Sequence, residues 1–156
     1  MSRFFITGGG TGGHIYPAIA VAESLKDDEV YYIGNPKNLE YDIVTKKGYN
    51  FLGINVHGMP RKVGFELIKW GFQLSFAVLK CCCYIKKYKP DAIFGTGGYV
   101  SAPALIAGRL MNVPYMMHDC DAQPGLVTRK LAKGAQCVSV AFECACNFIK
   151  NKNCKV

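Results

Sequence analysis

Short apolar, β-rich runs alternate with helical stretches along the whole chain, and that alternation leaves few folds open. The runs are Arg3 to Thr7, Glu29 to Gly34, Asn50 to Val56, Asp91 to Gly95, Pro114 to His118 and Gln136 to Val140. Between them Ile15 to Lys26, Leu39 to Lys47, Phe65 to Lys87, Ser101 to Met111, Pro124 to Lys133 and Phe142 to Lys150 carry helical spacing or composition, with Gly48, Gly108 and Gly134 near their ends. A strand that feeds a helix and then another strand builds a parallel sheet with both faces covered. The expected class is therefore α/β, a Rossmann-like parallel sheet with helices on both faces. At 156 residues, half of them apolar, one domain of this kind can bury a real core. No low-complexity linker divides the chain, and the loop from Val56 to Gly64 reads as surface. Cys154 to Val156 reads as the start of another element, so a piece of a longer protein is expected.

One motif occurs twice. Thr11-Gly12-Gly13 follows the first strand and Thr96-Gly97-Gly98 follows the fourth, each leading into a helix. In an open parallel sheet such turns lie at the carboxyl edge, where ligands bind. Gly8 to Gly13 reads GGGTGG, and glycines there let backbone N–H groups approach an anion while the helix N-terminus adds positive potential. Phosphate or diphosphate fits. A nicotinamide or flavin is disfavoured, because the second strand ends Tyr32-Ile33-Gly34-Asn35 without the acidic residue that would hold a ribose. His14 follows the loop at the start of the first helix, whose dipole disfavours imidazolium and so favours the neutral ring a general base needs. His118 to Leu126 follows the fifth strand at the same edge. Asp119 and Asp121 there are candidate substrate contacts, or caps for the helix that begins near Pro124. They lack the further ligand that a metal site would need, and no metal is assigned.

The net charge of +8 is uneven: Arg61 to Lys89 holds seven basic residues against Glu66 alone, which favours an anionic partner. Within Phe65 to Lys87 the polar residues Glu66, Lys69, Gln73, Lys80 and Lys87 share an arc of roughly 60°. The apolar remainder has two fates, burial in the domain or contact of the Trp70, Phe72, Phe76 and Leu79 region with lipid. The uncharged run Trp70 to Leu79 is ten residues, too short to span a bilayer. The start of the chain has no charged or cleavable leader, so a cytosolic setting is expected. Eight cysteines without a CxxC pair are expected to be reduced and mostly buried thiols.

The blocks TGGGTGGHIYPAIAVAESL, YKPDAIFGTGGYVSAPALIAG and HDCDAQPGLVTRKLA together resemble the MurG family. The resemblance spans nearly the whole chain and implies that residues 1–156 are the N-terminal, acceptor-binding domain of a two-domain GT-B glycosyltransferase, without the donor-binding domain. It implies an inverting hexosyltransferase of peptidoglycan synthesis, moving N-acetylglucosamine from UDP-GlcNAc to undecaprenyl-diphosphate-linked lipid I to give lipid II. The enzyme would work as a peripheral protein on the cytoplasmic face of the membrane, without a cofactor, and the isolated half would be inactive. By the same resemblance His14 is the candidate catalytic base or acceptor contact. Thr11, Gly12, Gly13, Gly97, Gly98, Tyr99, Asp119 and Asp121 are the candidate substrate-binding residues, and Arg61 to Lys89 is the region of membrane contact. One departure stands out: where the family has H-E-x-N, this chain has His118-Asp119-Cys120-Asp121. An ionised Asp121 accepts but cannot donate as an amide does, which leaves open a different lipid acceptor. The alternative from another class is a non-catalytic module that binds a lipid diphosphate and the membrane. Nucleic acid is disfavoured, because the basic stretch carries no recognition motif.

Overall fold

The computed structural model describes residues 1–60 and 62–156. Seven strands form one sheet in the order β3-β2-β1-β4-β5-β6-β7: β1 Arg3–Thr7, β2 Glu29–Gly34, β3 Asn50–Gly53, β4 Ala92–Gly95, β5 Tyr115–Asp119, β6 Cys137–Val140 and β7 Cys154–Lys155. Every pairing is parallel. The helices are α1 Gly12–Ser24, α2 Leu39–Lys46, α3 Phe65–Tyr88, α4 Gly98–Leu110 and α5 Leu126–Leu131. The α/β expectation therefore holds.

Successive strand residues point to opposite faces, and the sequence supplies apolar residues to both. Ile6 and Tyr32 pack with Ile15, Ile19 and Val44 of α1 and α2. Their neighbours Phe5 and Ile33 face the other way, toward Ala77, Cys81, Ala104 and Leu105 of α3 and α4. Two cores result, one on each side of the sheet. The chain winds outward from β1 through β3, then returns so that β4 pairs with the other edge of β1. This reversal of direction is the topological switch point of an open α/β sheet.

Several boundaries differ from the sequence reading. α1 and α4 begin three residues earlier than expected, within the glycine turns themselves. β3 stops at Gly53, yet Ile54 and Val56 remain only 1 % exposed, continuing as buried extended chain beyond the end of β2. The helix expected over Pro124 to Lys133 is the six-residue α5 followed by a 3₁₀ turn at Ala132–Gly134. The helix expected over Phe142 to Lys150 is a 3₁₀ segment, Glu143–Phe148.

The cysteines also depart from expectation. Cys146 and Cys154 form a disulfide, and Cys83 and Cys144 are exposed. The pairing is tertiary in origin: β7 adds to the edge of β6 and carries Cys154 back beside the 3₁₀ segment that holds Cys146.

Candidate functional site

At the switch point Thr7 of β1 lies beside Gly95 of β4, so the turns that leave these strands open onto one cleft. Neither α1 nor α4 has a side-chain cap at its N-terminus. The first N–H groups of a helix have no intrahelical acceptor, so those of Gly12, Gly13 and Gly98 are left for a partner at this edge, together with the positive ends of two helix dipoles. The cleft needs glycine for steric reasons as well. Gly98 has φ +73°, and a Cβ there would stand 2.6 Å from the carbonyl oxygen of Gly9. The two turns are in backbone contact.

His14 sits between them. Its Nδ1 lies 2.9 Å from the carbonyl oxygen of Thr96. A carbonyl only accepts, so Nδ1 carries a proton, and in the neutral ring the lone pair is therefore on Nε2. The hydroxyl of Thr96 donates in return to the carbonyl of His14 at 2.5 Å. This reciprocal pair fixes both the tautomer and the ring of His14 across the β1–β4 seam. A Cβ at Gly97 or Gly98 would come within 3.4 or 3.2 Å of the imidazole, so these glycines make the slot that the ring occupies. The result is a half-buried imidazole held through Nδ1 beside two uncapped helix N-termini.

The other expected residues divide. Thr11 and Gly13 are exposed at the mouth, and Gly12 and Tyr99 are half-buried. The hydroxyl of Tyr99 accepts a hydrogen bond from Asn38 Nδ2 at 3.1 Å. Asp119 is 1 % exposed, and its carboxylate accepts from the N–H groups of Asp121 and Gly125, each at 3.1 Å. It organises the loop ahead of α5. Asp121 is exposed on the wall of a groove of about 400 Å³ that His14, Gly98, Tyr99, Trp70 and Leu126 also line. The groove is largely apolar away from His14.

The repeated Thr-Gly-Gly turn marks Thr96 in the sequence and Cys120 stands in the His118-Asp119-Cys120-Asp121 run, but neither carries a role of its own there, and nothing in the sequence singles out Asn38 or Glu40. Cys120 Sγ lies 3.8 Å from His14 Nδ1, and burial pushes its thiol pKa up, which favours the protonated thiol. Burial likewise pulls the His118 pKa down, against the opposing charge of Asp119. His118 Nδ1 is bonded to Ser139 Oγ at 2.8 Å, so this histidine is anchored on β5 and β6.

The geometry has a counterpart among known proteins. The model of the glycosyltransferase family 28 N-terminal domain matches residues 4–140. The chain belongs to this family. Curated family relatives include the UDP-N-acetylglucosamine–N-acetylmuramyl-(pentapeptide) pyrophosphoryl-undecaprenol N-acetylglucosamine transferase of Carboxydothermus hydrogenoformans, 37% identical over 97% of this chain and 42% of that protein. The enzyme of the same name from Halothermothrix orenii is 40% identical over 96% of this chain and 41% of its own length. The chain thus spans about two fifths of the curated relatives it matches. In structure it is similar to MurG of Acinetobacter baumannii, with a TM-score of 0.80 and 29% identity over 91% of this chain and 42% of that one.

Outside the cleft, α3 buries one narrow face through Ala77, Cys81 and Ile85. Phe65, Ile68, Phe72, Phe76 and Leu79 recur at helical spacing and are 59 to 78 % exposed. Exposed Lys62, Lys69 and Lys80 accompany them, whereas Arg61 lies outside the described residues. Trp70 departs from the stripe: it is half-buried and donates its indole N–H to the carbonyl of His57 at 2.9 Å. Among the described residues no helix is long and apolar enough to cross a membrane.

Proposed function

We propose that the chain is the acceptor-binding domain of an inverting hexosyltransferase that moves N-acetylglucosamine from UDP-GlcNAc to a sugar carried on undecaprenyl diphosphate, lipid I becoming lipid II. The observation that carries this reading is the juxtaposition of a tautomer-fixed His14 with two uncapped helix N-termini. The acceptor diphosphate lies against the N–H groups of Gly12, Gly13 and Gly98, with Thr11, Gly97, Tyr99 and Asp121 around the sugar. His14 Nε2 takes the proton from the attacking hydroxyl as its oxygen bonds to the anomeric carbon. The bond from that carbon to UDP breaks on the opposite side, UDP leaves with the electron pair, and the configuration inverts. Asp119 serves by holding the loop that presents Asp121. A donor-binding domain beyond this chain stabilises the departing UDP, so residues 1–156 alone do not turn over.

The exposed stripe of α3 supports a peripheral position on the cytoplasmic membrane face. Phe72 and Phe76 enter the interface while Lys69 and Lys80 meet anionic headgroups. On that surface the domain meets a lipid-linked acceptor, and the reading calls for no nucleic acid.

In the complete transferase, His14→Ala is expected to lower kcat by roughly 10²- to 10⁴-fold with little change in acceptor KM, the usual worth of a positioned base. A rise in acceptor KM with kcat preserved would assign His14 to positioning and end the base assignment.

A further inference from the structure

Glu40 is fully buried, and it lies against the glycine loop that leads into α1. Its carboxylate accepts from three donors: the N–H of Asn35 at 3.1 Å and Asn38 Nδ2 at 3.3 Å on Oε1, and the N–H of Gly10 at 3.3 Å on Oε2. Among the described residues it has no salt-bridge partner. A Cβ at Gly9 would stand 2.6 Å from the Glu40 carboxylate and one at Gly34 2.9 Å from its Cγ, so both glycines make room for this one side chain. The Asn38 donor leads onward, because its Nδ2 also reaches the hydroxyl of Tyr99 at 3.1 Å, and Tyr99 is the second residue of α4. The Tyr99 ring in turn covers Gly10, within 3.1 Å of where a Cβ there would be. A closed circuit therefore runs from the first glycine turn through Glu40, Asn38 and Tyr99 to the second.

We infer that Glu40 is a positioning residue for the acceptor site: it draws the Gly10 N–H backward, leaves the following N–H groups of Gly12 and Gly13 facing outward, and through Asn38 and Tyr99 locks the two glycine turns in register. A buried acid beside an anion site is otherwise a liability, since its charge repels the ligand. Three convergent donors spread that charge into the backbone and make it a rigid brace. The inference rests on the reading of the cleft as a diphosphate site.

The test uses Glu40→Gln, which keeps the volume but places an amide donor against one of the three donors, and Val44→Ala as a control. Val44 is fully buried on the same helix, α2, and lies outside the circuit. The probe is farnesyl diphosphate titrated into the chain, followed through the amide resonances of Gly12 and Gly13 with hydrogen exchange read at Gly10. Glu40→Gln is expected to weaken probe binding on the order of tenfold, as for loss of a hydrogen bond to a charged group, and to speed exchange at Gly10 by a similar factor. Val44→Ala should loosen the fold and leave both unchanged. Equal binding and equal Gly10 exchange in Glu40→Gln and the parent chain would overturn the inference, as would an equal loss in Val44→Ala. Failure of the parent chain itself to bind the probe would instead strike the diphosphate reading, and the Gly10 exchange comparison would still decide the role of Glu40.

Discussion

The contact between the two glycine turns can be weighed by adding one methyl group. Gly98 has φ +73°, a conformation that costs an L-residue about 1–2 kcal/mol. Gly48, at the end of α2, has φ +82° and open space around its missing Cβ, so Gly48→Ala carries that backbone cost alone. Gly98→Ala carries it too, and in addition drives its Cβ to 2.6 Å from the Gly9 carbonyl oxygen and 3.2 Å from the His14 ring. The first obstacle is backbone, which cannot rotate aside as a side chain would. Overpacking of this kind adds roughly 1–3 kcal/mol. The expected destabilisation is therefore about 3 kcal/mol for Gly98→Ala and about 1–2 kcal/mol for Gly48→Ala. At this chain length that separates the melting temperatures of the two variants by roughly 2–8 °C. Urea unfolding at constant slope, supported by thermal melts, measures the difference. Equal losses in the two variants would mean that the turns do not touch as described, and the convergent site would fall with them.

Three further outcomes follow from the same structure. Because burial holds the folded-state His118 pKa below its usual 6.5, the unfolded chain binds more protons just below that pH. Stability is then complete above about pH 6.5 and declines as the pH falls through the folded value, so the urea midpoint should drop on acidification and drop less in His118→Asn. Reducing the Cys146–Cys154 disulfide, which spans a sequence separation of 8, should cost roughly 2.5 kcal/mol by loop entropy. The urea midpoint with and without reductant measures this, and Cys154→Ser should be insensitive to reductant. Replacing exposed Phe72 and Phe76 by Ser should change unfolding by less than about 0.5 kcal/mol, yet lower sedimentation with anionic vesicles by roughly tenfold or more. Undiminished vesicle binding would remove α3 from the membrane contact.

What the sequence disclosed was periodic or local. β1 and β2 lie where their apolar residues put them, because an alternation that fills two cores at once admits no slip of register. The repeated Thr-Gly-Gly turn marked the cleft for the same reason: its glycines announce backbone that must come close to something. Helix starts were harder, since glycine is a poor helix former and α1 and α4 nonetheless recruit Gly12, Gly13 and Gly98 into their first turns. The segment after β6 has the composition of a full helix, yet only Ala145 of its 3₁₀ turn is buried, too little apolar surface to hold longer helical structure. Contacts made through crossovers were invisible: Thr96 holding the His14 ring, Glu40 reaching Gly10 and, over a shorter separation, Cys154 finding Cys146 each join segments that no spacing rule connects.

The pairing of β1 with β4 also bears on how the domain comes into being. Phe4 beside Ala92 through Thr7 beside Gly95 closes a loop containing three helices and two strands. Such a closure is entropically expensive and comes late in folding, because the chain must be ordered across a long contour before this seam returns any contact energy. The site exists only once that closure is made. A ligand held between the two turns therefore binds the finished sheet and no partly wound form of it, so saturating anion should slow the opening of the central seam and raise the resistance of the whole domain to proteolysis in step with occupancy.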